Sequence, residues 1–214
     1  LLVQIVTSLS IVRSNSAAKE YGSSELAAMG PVTKIMTVGT LIVVGFLKGF
    51  QPIAGFSYGA KKYDRLHEAI KTSTLWSTIF CVIFGLAAVI FSEGIVSLFT
   101  KGDMEMIRVG QIALRANGLS FMLFGFYTVY SFLFLVMGKA TEGCILGACR
   151  QGICFVPVIL ILPGLLGLNG ILYAQPIADV LSAVVTVFMA VHLHKELATE
   201  KIRIVTMDVG HSVS

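Results

Sequence analysis

The sequence predicts an all-α fold, a polytopic membrane bundle of about six transmembrane helices, and three observations carry that expectation. Of its 214 residues, 56% are hydrophobic and 13% charged, with a mean hydropathy of +0.85, well beyond a water-soluble globular domain. Apolar runs of about 20 residues, long enough to cross the hydrocarbon layer, recur between short polar breaks. Lys and Arg sort to alternate breaks, as the cytoplasmic loops of a membrane protein require.

Residues 1–12 are apolar but too short to span alone. They continue through Arg13, Asn15 and Ala18 towards Tyr21-Gly22 and read as the remainder of a first span. Leu1 opens inside an apolar run, without an initiating Met or a signal-peptide pattern, so the chain reads as truncated at its N-terminus. The second span is entered through Ser24-Glu25-Leu26 and holds no acid between Lys34 and Lys48. It is expected to break or bend at Gln51-Pro52, because proline lacks an N–H and restricts its predecessor. The basic segment Ala60-Lys-Lys-Tyr-Asp-Arg65 follows.

A third span is expected over residues 75–91, turning at Ser92-Glu93-Gly94. The fourth, over 112–137, is rich in Phe, Tyr and Met and ends at Gly138-Lys139. The fifth, over 145–168, contains Pro157 and Pro163 as possible bends. After the turn Leu168-Asn169-Gly170 the sixth runs over 171–193. Residues 1–197 form one transmembrane lobe, and 198–214 a polar, loosely ordered tail.

With six spans, one side carries Lys61, Lys62, Arg65, Lys71, Lys139, Arg150, Lys195, Lys201 and Arg203, and the other only Lys19, Lys101 and Arg108. The excess places the tail in the cytoplasm. The basic residues alternate with spans and form no stripe suited to nucleic acid, which leaves the lipid bilayer as the implied partner.

The sixth span offers the clearest polar pattern. Gln175, Asp179, Ser182 and Thr186 recur at steps of four, three and four and so share one helix face. An ionisable group near mid-span faces protein or water, which makes Asp179 a candidate proton, cation or cationic-substrate site, the alternative being a structural carboxylate bonded to a neighbouring helix. Pro176 sits within this face and is expected to kink it. Gln51 with Lys34, Thr37 and Lys48 makes a weaker face in the second span, where the lysines also fit as interfacial snorkels. Gln111 and Arg115 stand four apart in the fourth span, and Arg115 suits an ion pair with an acid from another helix.

The aromatic and Met cluster that includes Phe121, Tyr127, Tyr130 and Met137 fits packing better than a pocket. Gly143 and Gly147 give a small-xxx-small face. Cys81, Cys144, Cys149 and Cys154 lack metal-ligand spacing and read as buried packing residues. There is no HExxH, GxSxG, P-loop or GxGxxG motif, so no enzyme and no cofactor are expected, and uphill transport would draw on an ion gradient.

The stretch Gly45-Phe-Leu-Lys-Gly-Phe-Gln-Pro-Ile-Ala-Gly-Phe-Ser-Tyr-Gly-Ala-Lys-Lys-Tyr-Asp-Arg65 resembles the multidrug and toxic compound extrusion (MATE) family. So do Val136-Met-Gly-Lys139, Leu146 through Arg150, and Gly170 through Gln175-Pro-Ile-Ala-Asp179-Val-Leu-Ser182. The resemblance reaches to about Leu197, in the order of the family's second six-helix lobe.

It implies a bacterial-type, plasma-membrane antiporter that exports small amphipathic, often cationic, drug-like compounds in exchange for H⁺ or Na⁺. Two similar lobes around a central cavity would alternate access, with an N-terminal lobe of the same protein as the missing partner. On this view Asp179, Gln175 and Ser182 are path or coupling residues, Arg115 is a weaker candidate, and Gln51 with Pro52 shapes a bend. Two alternatives are a lipid-linked sugar flippase of related architecture and a non-transporting membrane scaffold.

Overall fold

The computed structural model describes residues 23–99, 104–166 and 168–212. The expected first span lies outside them. Among the described residues every regular element is helical: α1 (Ser23–Gly59), α2 (Tyr63–Ile90), α3 (Ser92–Ser97), α4 (Met104–Phe121), α5 (Phe124–Val136), α6 (Ala140–Ala148), a π-helical turn (Cys149–Ile153), α7 (Phe155–Leu166) and α8 (Leu168–Ser212).

Four stretches are long and apolar enough to cross a membrane: Gly30–Gly59, Tyr63–Ile90, Met106–Val136 and Leu172–Glu200. They coincide with the second, third, fourth and sixth expected spans. The third of them, formed by α4 and α5, is 61% buried, against 28%, 28% and 39% for the others, and so forms the hub of the bundle. α4 packs against α1, α2 and α8, and α5 against α2 and α6 as well as α1 and α8. The core joins Leu47 and Phe50 of α1, Leu66 and Cys81 of α2, Leu114 and Phe121 of α4, and Leu133 and Phe134 of α5. Leu41, Phe56, Ile83, Ile90 and Phe188 point outward, as expected of helices whose outer surface meets hydrocarbon or another apolar face.

The sequence expectation of a break at Gln51-Pro52 is corrected. α1 continues unbroken past both Pro31 and Pro52 to Gly59. A proline removes a single N–H donor, and a helix packed against its neighbours can carry that loss. The stop comes at Gly59, where Lys61 N–H donates to the Tyr58 carbonyl at 3.0 Å and Lys62 N–H to that of Ser57 at 2.9 Å, with Lys61 at φ 54°. Pro176 likewise sits inside a continuous α8.

Three further expectations change. The fourth span starts earlier and divides at Met122–Leu123, where Leu123 N–H donates to the Ser120 carbonyl at 3.0 Å. The fifth is assembled from α6, the π turn and α7, so its irregularity precedes both of its prolines. The loose tail is replaced by helix, since α8 continues past Leu197 as far as Ser212.

Gly138 ends α5 with φ +79°, a left-handed conformation that glycine adopts without a Cβ penalty. Gly138→Ala is therefore expected to cost about 1 kcal/mol, read as a lower thermal midpoint of the purified protein.

Candidate functional site

The polar face expected on the sixth span exists on α8 and turns inward. Asp179, Ser182 and Thr186 are buried, and Gln175 is half-buried. Asp179, only 2% exposed, is the centre of the cluster. α8 supplies one of its partners, with Gln175 Nε2 donating to Oδ1 at 3.1 Å. The hub supplies two more: Ser120 Oγ, in the last turn of α4, donates to Oδ2 at 3.0 Å, and Tyr127 OH, in the first turn of α5, donates to Oδ1 at 3.2 Å.

The division of the fourth span at Met122–Leu123 falls between Ser120 and Tyr127. A file of rings leads to Tyr127: Phe84 tilts against Phe121 at 5.2 Å, Phe121 stacks on Phe124 at 4.9 Å, and Phe124 meets Tyr127 edge-on at 5.4 Å.

Burying a carboxylate is costly unless hydrogen bonds replace its hydration. These three donors do that with neutral groups. A carboxylate oxygen suits a proton or a hard cation, since hard cations select oxygen ligands. Tyr127→Phe deletes one donor and is expected to lower stability by about 1 kcal/mol, measured by thermal unfolding in detergent.

The remaining sequence candidates fall elsewhere or act locally. Ser182 Oγ donates to the Ala178 carbonyl at 2.8 Å, and Thr186 Oγ1 to that of Ser182 at 2.7 Å, so both hydroxyls are engaged by their own helix. Gln51 is half-buried and Pro52 exposed on α1, whereas α8 packs on α4, α5, α6, the π turn and α7; these two residues do not join the Asp179 cluster. Arg115 is exposed on α4. Its expected acid partner is replaced by Ser92, whose Oγ accepts from Arg115 Nε at 2.9 Å. The acid beside it, Glu93, accepts from Gln111 Nε2 at 3.1 Å.

Lys48 Nζ lies 5.7 Å from the Phe132 ring centroid, a cation–π placement. Lys139 pairs with Glu196. Tyr130 OH and His194 Nε2 are 3.0 Å apart, and His67 meets the His194 ring edge-on at 5.3 Å. Sequence reasoning missed Ser120 altogether and placed Tyr127 among packing aromatics. The available signal for Tyr127 was its phenolic OH, which needs a partner when buried.

The family model described as MatE matches residues 1–161. Multidrug export protein MepA of Staphylococcus haemolyticus (strain JCSC1435) is 24% identical over 191 residues, covering 88% of this chain and 41% of that protein. MepA of Staphylococcus aureus (strain MSSA476) is 26% identical over 183 residues, covering 84% of this chain and 39% of that protein. Among solved structures, the Vibrio cholerae MATE transporter VcmN in its bent form superposes with a TM-score of 0.82 at 16% identity, covering 94% of this chain and 45% of VcmN. The chain thus spans less than half the length of the relatives it matches. Four apolar helices of spanning length within this lineage make it a multi-pass membrane protein. A match over most of the sequence, together with the shared helical architecture, establishes that the chain belongs to the multidrug and toxic compound extrusion (MATE) family.

Proposed function

We propose that the chain forms one lobe of a cation-coupled multidrug efflux antiporter. It works with a second six-helix lobe to export amphipathic, often cationic compounds by alternating access, in exchange for H⁺ or Na⁺. The observation that carries the reading is the buried carboxylate of Asp179, held where α4, α5 and α8 meet by Ser120, Tyr127 and Gln175. An ionisable group at membrane depth is costly and is by default a candidate for an ion or substrate path. Loading it with a proton or a hard cation changes its charge and the bonds that tie α8 to the hub, which couples ion occupancy to helix packing.

The names of the Staphylococcus relatives, multidrug export proteins, support the cargo class. The excess of Lys and Arg on one set of loops supports a plasma-membrane orientation with a cytoplasmic C-terminus.

The test uses the complete reading frame reconstituted in vesicles, with efflux of a fluorescent organic cation followed while H⁺ and Na⁺ gradients are imposed separately. One gradient is expected to drive efflux and the other not. Absence of efflux under both, from protein shown to be folded, would overturn the antiporter reading.

A further inference from the structure

Three helices meet through side chains at the end of the bundle where α2 starts. Tyr130 of α5 is buried, and its OH lies 3.0 Å from Nε2 of His194 on α8. The half-buried His194 ring in turn meets the exposed His67 ring of α2 edge-on, with centroids 5.3 Å apart and planes at 73°. Among the described residues α2 is not one of the helices packed along α8, so the ring contact joins two helices with little other packing between them.

The two links of this chain respond differently to a proton. A hydroxyl both donates and accepts, and a neutral imidazole has one nitrogen of each kind. With His194 neutral, Tyr130 OH donates to Nε2; with His194 protonated, Nε2–H donates to the Tyr130 oxygen, and the bond persists with its direction reversed. The link to His67 has no such reserve. Edge-to-face rings attract when neutral, and a charge on one of them has no like charge to repel. Two imidazolium rings at 5.3 Å repel each other.

We propose that His67 and His194 form a proton-operated latch, closed while at most one ring is charged and opened, with α2 released from α8, when both take a proton. Tyr130 holds His194 in either state, so α2 is the helix set free. The other ionisable groups near His67 are Tyr63, Asp64, Glu68 and Lys71 on α2, preceded by the exposed Lys61 and Lys62. On α8, Lys195 adjoins His194 and Glu200 lies beyond it, Glu196 is paired with Lys139, and His192 lines a cleft with those two residues, on the far side of the helix from His194. α5 adds Tyr127, whose OH is bonded to Asp179. Carboxylates and lysines ordinarily hold their charge between about pH 5 and 8, the range in which imidazole titrates, so the His67–His194 contact is the one that changes there. Asp179 lies 15 residues back along α8, about 22 Å, so the latch fastens the far end of the helix that carries it. The orientation proposed above makes the cytoplasmic pH the one it reads.

The test places nitroxide labels, carried on non-canonical amino acids, at the exposed Thr72 of α2 and Thr199 of α8 in the full-length protein. Their separation is measured by pulsed electron resonance at about pH 7.5 and about pH 5.5. The population at a longer distance is expected to grow about tenfold at the lower pH. His67→Phe keeps an edge-on ring that takes no proton and is expected to hold the short distance at both pH values; His67→Ala lacks the ring and shows the longer distance at both. A wild-type distance that does not change with pH would overturn the latch, as would the longer distance in His67→Phe at either pH or the short one in His67→Ala. The measurement uses neither cargo nor gradient, so its failure leaves the antiporter reading standing.

Discussion

Asp179→Asn is expected to lower gradient-driven efflux by the full-length protein about tenfold or more, with the protein still folded and membrane-inserted. The variant keeps the volume of the side chain and removes both its negative charge and its capacity to exchange a proton. Asn also presents an NH₂ group to a site built from donors. Tyr127 OH and Gln175 Nε2 both donate to Oδ1, which the amide retains as an oxygen, and Ser120 Oγ has the Asn117 carbonyl at 3.1 Å as a second acceptor and can accept from the new NH₂. The expected loss therefore comes from the missing charge and proton and not from unfolding. The matched check is Ser182→Ala. Its hydroxyl bonds only to its own helix at Ala178, so efflux is expected to stay within about twofold, in line with the small effect of a locally satisfied hydroxyl.

The second large effect concerns the framework that positions the cluster. Gly85→Val is expected to destabilise the protein by about 3 kcal/mol or to abolish its folded yield. A Cβ on Gly85 would lie 2.4 Å from the Gly118 carbonyl oxygen, and one on Gly118 would lie 2.9 Å from that of Gly85. α2 and α4 therefore touch backbone to backbone, the close approach that small residues permit between membrane helices. Gly125 of α5 makes a similar approach, since a Cβ added there would lie 2.7 Å from the Ser77 carbonyl on α2. A valine at position 85 forces α2 and α4 apart and loosens the helix whose last turn carries Ser120. Gly94→Val, with nothing within 4 Å of its added Cβ, is the control and is expected to change stability by no more than about 0.5 kcal/mol. Thermal unfolding of the three proteins in one detergent separates the outcomes.

The membrane helices were legible because an apolar run of spanning length leaves the chain few other folds. Asp179 with Gln175, Ser182 and Thr186 was legible because steps of four and three project to one face. What the chain joins across helices was not legible. Ser120 has nothing in its own surroundings to mark it as a partner of a carboxylate more than fifty residues away, and the Tyr127 phenol signals only that it needs some partner when buried. Pro52 was overread, since one missing N–H does not stop a helix that its neighbours hold. The π turn at Cys149–Ile153 went unseen because a single extra residue leaves no mark on hydrophobic periodicity. Arg115 was expected to find an acid; the geometry of the α2–α3 corner instead gave it Ser92 and gave Glu93 to Gln111.

The most direct test of the central claim measures ion movement rather than cargo. The full-length protein is reconstituted in vesicles containing either a pH-sensitive dye or tracer Na⁺, a fluorescent organic cation is added on one side without any imposed ion gradient, and the counter-flow of each ion is recorded. The account predicts that cargo drives one of the two ions the opposite way in the wild type and that Asp179→Asn abolishes this flow. Cargo-driven ion flow of undiminished size in Asp179→Asn would contradict it and remove Asp179 from the coupling path.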